Sequence, residues 1–324
     1  MLKSVLYFAS ALALALVAGP SLAPAAESAP LEILAAGTLA VPFRELNTIF
    51  EQRYPDVVVH AQFGGSVKMA RQITELHQPA DIIAVADYSV IPKYLFAQNS
   101  QPGYATWYAG FARNAISFVY TEQSKFANEI NSENWYQILS RPGVEIGRSN
   151  PDTDPSGYQT LQMLSLAEKY YKVSGIADKI IANAPATNMR DTETSLISAL
   201  QLGQIDYLAI YRSDALQHQL KLLDLPAQIN LSDPNFASFY AEGIAHTKTG
   251  DLTGKPIVYA ISIVNGTKNA ETAQNYLTLL LGPQGQEVMK RNGFGSFTPA
   301  YAVNAGDMPA SLKAMVTPWP GERP

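Results

Sequence analysis

The sequence predicts an α/β fold divided between two domains. Three observations carry this. The chain has 324 residues, and ordinary domains hold roughly 100–200. Hydrophobic residues make up 47% and charged residues 16%, the balance of a folded chain rather than a disordered one. Short β-type runs alternate with helical patterns, the signature of a parallel sheet covered on both faces.

The elements follow in order. Residues 31–35 form a β-type run that ends at Gly37. Pro42 opens a helical pattern with Phe43, Leu46, Phe50 and Tyr54 on one face. Residues 57–63 read as a second strand, closed by Gly64-Gly65-Ser66, and a helix through Ile73 and Leu76 follows. Residues 81–85 and 115–120 read as strands, with a helix over 89–96 between them. The 115–120 strand leads toward the second domain. There the pattern repeats: a short helix at 135–139, a strand at 144–147 and the strong turn Asn150-Pro151-Asp152-Thr153-Asp154-Pro155. A long helix follows with Leu161, Leu164, Ala167 and Tyr171 at helical spacing. A helix over 192–202 ends at Gly203, and residues 206–211 form a strand. After turns over 226–234, a strand at 257–264 precedes a helix over 269–281 capped by Asn269.

Composition excludes several functions. There are no cysteines, so disulfides, zinc ribbons, iron–sulfur ligation, cysteine nucleophiles and cysteine lipidation are ruled out. The formal charge of -5 argues against general nucleic-acid binding. Lys3, an apolar run over 5–18, the break at Gly19-Pro20 and Ala23-Pro24-Ala25 read as a signal peptide over residues 1–25. The apolar run is short for a bilayer span. The expected product is a soluble exported protein, most simply periplasmic.

Three turns share one geometry: Ala36-Gly37-Thr38, Gly64-Gly65-Ser66 and Asp154-Pro155-Ser156-Gly157. Each places small or hydroxyl residues where a strand gives way to a helix. Open α/β sheets bind ligands at the carboxyl ends of strands, and helix N-termini favour anions. Thr38 and Ser66 add hydroxyl donors. The same residues also fit ordinary caps, with Asp154 capping the helix that Pro155 opens. Signals of catalysis are weak. His60, His77, His218 and His246 are scattered, and no H-E-x-x-H, G-x-S-x-G or G-x-x-x-x-G-K-[ST] occurs. Arg190, ahead of Asp191 and Glu193, reads as a member of a surface ion pair. The aromatics Trp135-Tyr136, Tyr170-Tyr171 and those of 236–240 read as core or hinge packing.

Several stretches, in order along the chain, resemble the archaeal-type tungstate/molybdate-binding proteins of ABC importers. They include Ala36-Gly37-Thr38-Leu39-Ala40-Val41-Pro42-Phe43, Gly65-Ser66-Val67, Ala86-Asp87-Tyr88, Phe111-Ala112-Arg113-Asn114 and Asn134-Trp135-Tyr136. Ser149-Asn150-Pro151 to Asp154-Pro155 with Gly157-Tyr158 is the densest match. Asp206-Tyr207-Leu208, Tyr211-Arg212-Ser213, Leu231-Ser232-Asp233-Pro234 and Pro256-Ile257-Val258-Tyr259 continue it.

The resemblance implies a two-lobed periplasmic-binding-protein fold of type II with two crossing segments. Residues 26–120 and 241–324 would form lobe I and 121–240 lobe II, with crossings near Tyr120 and Tyr240. It implies that Thr38 and Ser66 hydrogen-bond an oxyanion and that an Asp154 carboxylate oxygen contacts the oxyanion's metal centre. Ser156 and Tyr211 complete the expected ligand-binding set. The implied role is capture of tungstate or molybdate and delivery to an inner-membrane ABC permease. It involves no reaction and no cofactor, and a monomer suffices.

One position departs from the family. A glutamate stands there just before Tyr-Arg-Ser, and this chain has Ile210. The family's octahedral coordination uses both carboxylates. The expectation here is a more nearly tetrahedral oxyanion held mainly by hydrogen bonds, with less discrimination against sulfate. Asp154 would then be a protonated donor or a helix cap. Three other readings stand beside this one: a binding protein for sulfate, phosphate or a small organic anion; an exported phosphate- or sulfate-ester enzyme; and a periplasmic sensory module.

Overall fold

Seven strands of the chain pair into one sheet and five into another, each with its own helices. The computed structural model describes residues 29–97 and 102–319. The signal peptide expected over residues 1–25 lies outside them. In chain order the strands are β1 (Leu31–Ala36), β2 (Val59–Gly64), β3 (Ile82–Val85), β4 (Tyr108–Arg113), β5 (Ile116–Tyr120), β6 (Ile146–Ser149) and β7 (Met189–Arg190). Then come β8 (Tyr207–Tyr211), β9 (Lys221–Leu222), β10 (Ile244–Thr247), β11 (Gly250–Thr253), β12 (Val258–Ile263), β13 (Gly295–Val303) and β14 (Val316–Pro318). The larger sheet runs β14-β13-β4-β12-β3-β1-β2, the smaller β7-β6-β8-β5-β9, and β10-β11 is a separate hairpin. Among the described residues no helix is long and apolar enough to cross a membrane.

The sequence pattern explains the layers. β1 lies between β2 and β3, parallel to both, and is buried at five of its six positions. Its near-continuous apolar run suits a strand covered on both faces. β2 is an edge strand, so alternate residues face water. The helix Ala40–Arg53 buries Phe43, Leu46 and Phe50, and Tyr276 of the helix Ala270–Leu281 packs edge-on against both phenylalanines. The parallel connections bring the carboxyl ends of β1, β2 and β3 to one edge. β12 and β13 run antiparallel to β4, so the sheet is mixed: the β1–β3 portion follows the parallel expectation, and β14 pairs parallel with β13 at the far edge. In the second sheet β6 runs parallel to β7 and β8. Its carboxyl edge therefore carries the turns after Ser149, Arg190 and Tyr211.

The chain changes sheets earlier than the sequence suggested. Every residue of β5 pairs with β8, so 116–120 belongs to the second sheet and the outbound crossing is Asn114-Ala115 rather than Tyr120. The return lies beside it. The Ile257 N–H donates to the Leu231 carbonyl at 2.8 Å, and the Ile116 N–H to that of Asn230 at 3.0 Å. Residues 232–256 are an excursion that leaves and rejoins at this hinge, and Tyr240 sits inside it, its hydroxyl accepting from the Asp233 N–H at 3.1 Å. The excursion carries the β10-β11 hairpin over the long helix Pro155–Tyr171, where the Gln162 amide donates to the Leu252 carbonyl at 3.0 Å.

Two local expectations also change. Asn269 does not cap its helix with its side chain. The side chain donates instead to the Pro30 carbonyl and to Asp81 Oδ2, both at 3.0 Å. The helix expected over 192–202 begins as a 3-10 turn, Glu193–Leu196, and becomes α-helical at Ile197–Gln201. The Thr192 hydroxyl lies 2.7 Å from Ser195 Oγ and 3.2 Å from Thr194 Oγ1. Such local side-chain bonds tighten the first turn.

Candidate functional site

The two carboxyl edges face each other. Thr38 lies in the 3-10 turn Gly37–Leu39 after β1, and Ser66 is the first residue of the helix Ser66–Thr74 after β2. Asp154 immediately precedes the long helix, and Ser156 lies in its first turn. Tyr211 closes β8. All five are 3% exposed or less.

They join two polar clusters. In the first, Asp154 makes no capping hydrogen bond to its own helix. It accepts instead from the Ser156 hydroxyl at 2.8 Å and from the Ser66 N–H of the other lobe. Ser156 Oγ also lies 2.5 Å from Ser149 Oγ and 2.7 Å from Glu193 Oε2. In the second, Thr38 Oγ1 lies 2.9 Å from the Tyr259 hydroxyl. That hydroxyl also accepts from the Asn114 amide at 3.3 Å, which in turn reaches Ser213 Oγ at 2.8 Å. Between the clusters, the Tyr211 hydroxyl donates to Gln159 Oε1 at 2.7 Å, with its ring edge-on to Tyr259 at 6.0 Å.

The electrostatics are unusual. Three carboxyls are buried here: Asp154, Glu193 and Asp214. Burial pushes the Glu193 carboxyl well above the usual range, and the Asp154 charge and the hydrogen bond to Asp154 push it further. Burial also raises Asp154, against hydrogen bonds from Glu193, Ser156, Ser149 and the Ser66 N–H that favour its charged form. Asp214 is pushed up to about 8 by burial, with Asp154 adding to it. Burial raises the Tyr211 and Tyr259 phenols well above their usual range, so both keep their protons. Among the described residues no group of three or more His, Cys, Asp or Glu could hold a metal ion.

The lobes touch around this junction. The Lys68 N–H donates to the Thr153 carbonyl at 3.2 Å, and Lys68 Nζ pairs with Asp191 at 2.6 Å. Gly65 lies so close to the second lobe that a Cβ would sit 2.4 Å from the Thr153 oxygen and 3.0 Å from the Asp191 oxygen. On the flank, the Tyr158 hydroxyl donates to the buried Asp87 carboxylate at 2.7 Å. Burial pushes Asp87 up, but Lys255 at 3.2 Å and bonds from Tyr158 and Ser89 outweigh it and hold the group below its usual value.

Sequence reasoning missed part of the set. Glu193 looked like an exposed residue beside Arg190. The structure turns Glu193 inward, while Arg190 donates to the carbonyls of Thr187 and Met189 at 2.9 and 2.8 Å and Asp191 pairs across the lobes. Asp214, Tyr259, Asn114, Ser149 and Gln159 were also unassigned. Asp214 and Asn114 follow the carboxyl ends of β8 and β4, and that position is the one signal that could have found them.

The comparisons agree with this architecture. The chain belongs to the bacterial extracellular solute-binding protein family, whose pattern it matches over residues 31–295. An uncharacterized solute-binding protein of Petrotoga mobilis is 41% identical over 289 residues, covering 86% of this chain and 87% of that protein. The molybdate/tungstate-binding protein of Pyrococcus abyssi is 36% identical over 319 residues, covering 90% of each. The solved periplasmic molybdate-binding protein of Azotobacter vinelandii superimposes with a TM-score of 0.57 at 18% identity, over 82% of this chain and 98% of that one. The fold is thus the two-lobed type II periplasmic-binding architecture, and the chain is a solute-binding protein.

Proposed function

We propose that the protein captures a tetrahedral oxyanion, tungstate or molybdate, between its lobes in the periplasm and delivers it to an ABC permease. The observation that carries this is Asp154. It stands at a helix N-terminus, yet its carboxylate is spent on no cap and points into a buried junction formed by both lobes. A structural cap would accept a backbone N–H of its own helix, whereas Asp154 accepts from the Ser156 side chain and from the Ser66 N–H of the other lobe. A carboxylate that contacts the metal centre of an oxyanion needs the placement seen here. Thr38, Ser66, Ser156 and Tyr211 supply hydroxyls, and two helix N-termini supply N–H groups and positive partial charge. The relatedness to the Pyrococcus abyssi protein supports the same ligand class. Ligand binding favours closure only as far as the closed form binds better. Delivery involves no bond-making step.

Ile210 favours a second reading, capture of sulfate or phosphate, because it removes the second carboxylate of the family pattern. Thermal unfolding of the ligand-stripped protein with each anion in turn separates the two. A ligand at 100 times its dissociation constant adds roughly 2.7 kcal/mol. The expected outcome is a clear upward shift with micromolar tungstate or molybdate and little with sulfate. An equal shift with sulfate or phosphate contradicts the proposal.

A further inference from the structure

A cleft of about 460 Å³ opens at the hinge, within the roughly 300–1,000 Å³ of ordinary small-molecule sites. The crossing residues Asn114 and Asn230 line it. Lobe I adds Arg113, which ends β4, and Lys290 of the helix Pro283–Arg291; lobe II adds Arg212, which opens the helix Arg212–Gln217. These three cations are its charged lining, and among the described residues no acidic one joins them, in a chain of formal charge -5. They are poorly neutralised. Among the described residues Arg113 and Lys290 have no ion-pair partner, and the Arg113 guanidinium lies over the Phe297 ring at 5.0 Å. Arg212 Nη1 is 3.8 Å from Asp224 Oδ1, and the Asp224 side chain is 90% exposed. Such a long, solvated pair is screened and offsets little of the charge.

We propose that this hinge cleft is a second anion site, built for a small multivalent phosphate-type anion, and that its occupancy tightens the hold on the cargo. Arginine forks bind phosphate oxygens bidentately, and lysine adds a point charge. A monoanion would leave most of the positive charge uncompensated, so the cleft favours an anion carrying several charges. Inorganic diphosphate is the simplest of that class. The site is distinct from the cargo site: Thr38, Ser66, Asp154, Ser156 and Tyr211 do not line it.

Asn114 belongs to both places. It lines the cleft, and its amide reaches Ser213 Oγ at 2.8 Å and the Tyr259 hydroxyl at 3.3 Å in the second polar cluster. The lobes also touch at the edge of the cleft. At Gly293, with φ +88°, a Cβ would lie 2.9 Å from Leu216 Cδ1 and 3.0 Å from Ser213 Cα, and the Gln217 amide donates to the Asn292 carbonyl at 3.0 Å. An anion held by Arg212 from one lobe and by Arg113 and Lys290 from the other favours this arrangement of the lobes over any that separates the cations. A ligand shifts such an equilibrium only through its differential affinity, and the effect on the cargo must be reciprocal. The coupling rests on the proposed function; the hinge site does not.

The test is calorimetric titration of inorganic diphosphate, at low ionic strength, into the ligand-stripped protein and into protein carrying one equivalent of tungstate. Wild type is compared with the double variant Arg212→Gln, Lys290→Gln, and unfolding temperatures check the fold of both. Lys290→Gln alone, at an exposed position, is the milder variant. The expected result is one diphosphate per tungstate-loaded chain, bound at least ~10-fold more weakly by the double variant and ~3-fold more weakly by the single one. Tungstate measured alone should bind the double variant within about 3-fold of wild type, and each anion should tighten the other by one common factor. Undetectable diphosphate binding, binding that survives the double substitution, or displacement by one equivalent of tungstate overturns the hinge site. Equal diphosphate affinity with and without tungstate overturns the coupling. A chain that binds diphosphate through Arg212 and Lys290 but binds neither tungstate nor molybdate upholds the hinge site and overturns the proposed function.

Discussion

Burial, with the Asp154 charge adding to it, pushes the Asp214 carboxyl up to about 8. The folded value lies above the unfolded one of 3.8. Its contribution to stability is therefore fully present below the unfolded value and is lost as pH rises through the folded one. Glu193 acts in the same direction. Asp87 acts in the opposite one: its stabilisation is present above the usual carboxylate pKa and lost as strong acid protonates it. The empty protein should lose thermal stability between pH 5 and 9. Asp214→Asn should flatten that slope and raise stability at pH 9 by roughly 2–5 kcal/mol. Unfolding curves across this range check it, and an unchanged slope in the variant would show that Asp214 is charged in the folded state. Residue identity alone marked Thr38, Ser66 and Asp154 as candidates, because each stands in a small-residue turn at a strand–helix junction. It could not mark Glu193, whose inward direction depends on the 3-10 turn that Thr192 tightens.

At the scale of elements, the turns that end β1, β2 and β6 position the site, and their glycines set how near the lobes come. Gly157 lets the long helix start against its own turn, where a Cβ would lie 2.6 Å from the Pro151 nitrogen. Gly65 differs, because the atoms that would meet its Cβ belong to the other lobe. Gly65→Ala should therefore fold normally yet fail to close. We expect unchanged unfolding of the empty protein and at least ~10-fold weaker tungstate binding, seen together by calorimetry and unfolding. A loss of stability without a loss of affinity would place the strain within lobe I. Most of the elements around the site were legible in the sequence. β1, β3 and β12 are apolar runs, and the helix Pro155–Tyr171 follows an unmistakable turn. The β10-β11 hairpin and β4 were not. β4 pairs only with strands distant in sequence, and the hairpin is fixed by the long helix beneath it, so neither carries a local signal.

Across the whole molecule, two sheets meet at their carboxyl edges and are joined at one hinge, where Asn114-Ala115 lies beside the Leu231–Ile257 contact. The sequence placed that hinge a few residues too late because β5 reads as a strand without saying which sheet it joins. Closure buries the second lobe's carboxyls Asp154, Glu193 and Asp214 against the first lobe, which is unfavourable until something compensates. The pairs Lys68–Asp191 and Tyr158–Asp87–Lys255 compensate at the flanks. In the proposed function the ligand does so in the centre, through Asp154. The most direct measurement is therefore calorimetric titration of the ligand-stripped wild type and Asp154→Ala with tungstate, side by side. We expect one ion per chain bound tightly by the wild type, and binding at least ~30-fold weaker in the variant, with its unfolding temperature maintained. Equal affinity with a lowered unfolding temperature would make Asp154 a helix cap, and the account of the site would be wrong.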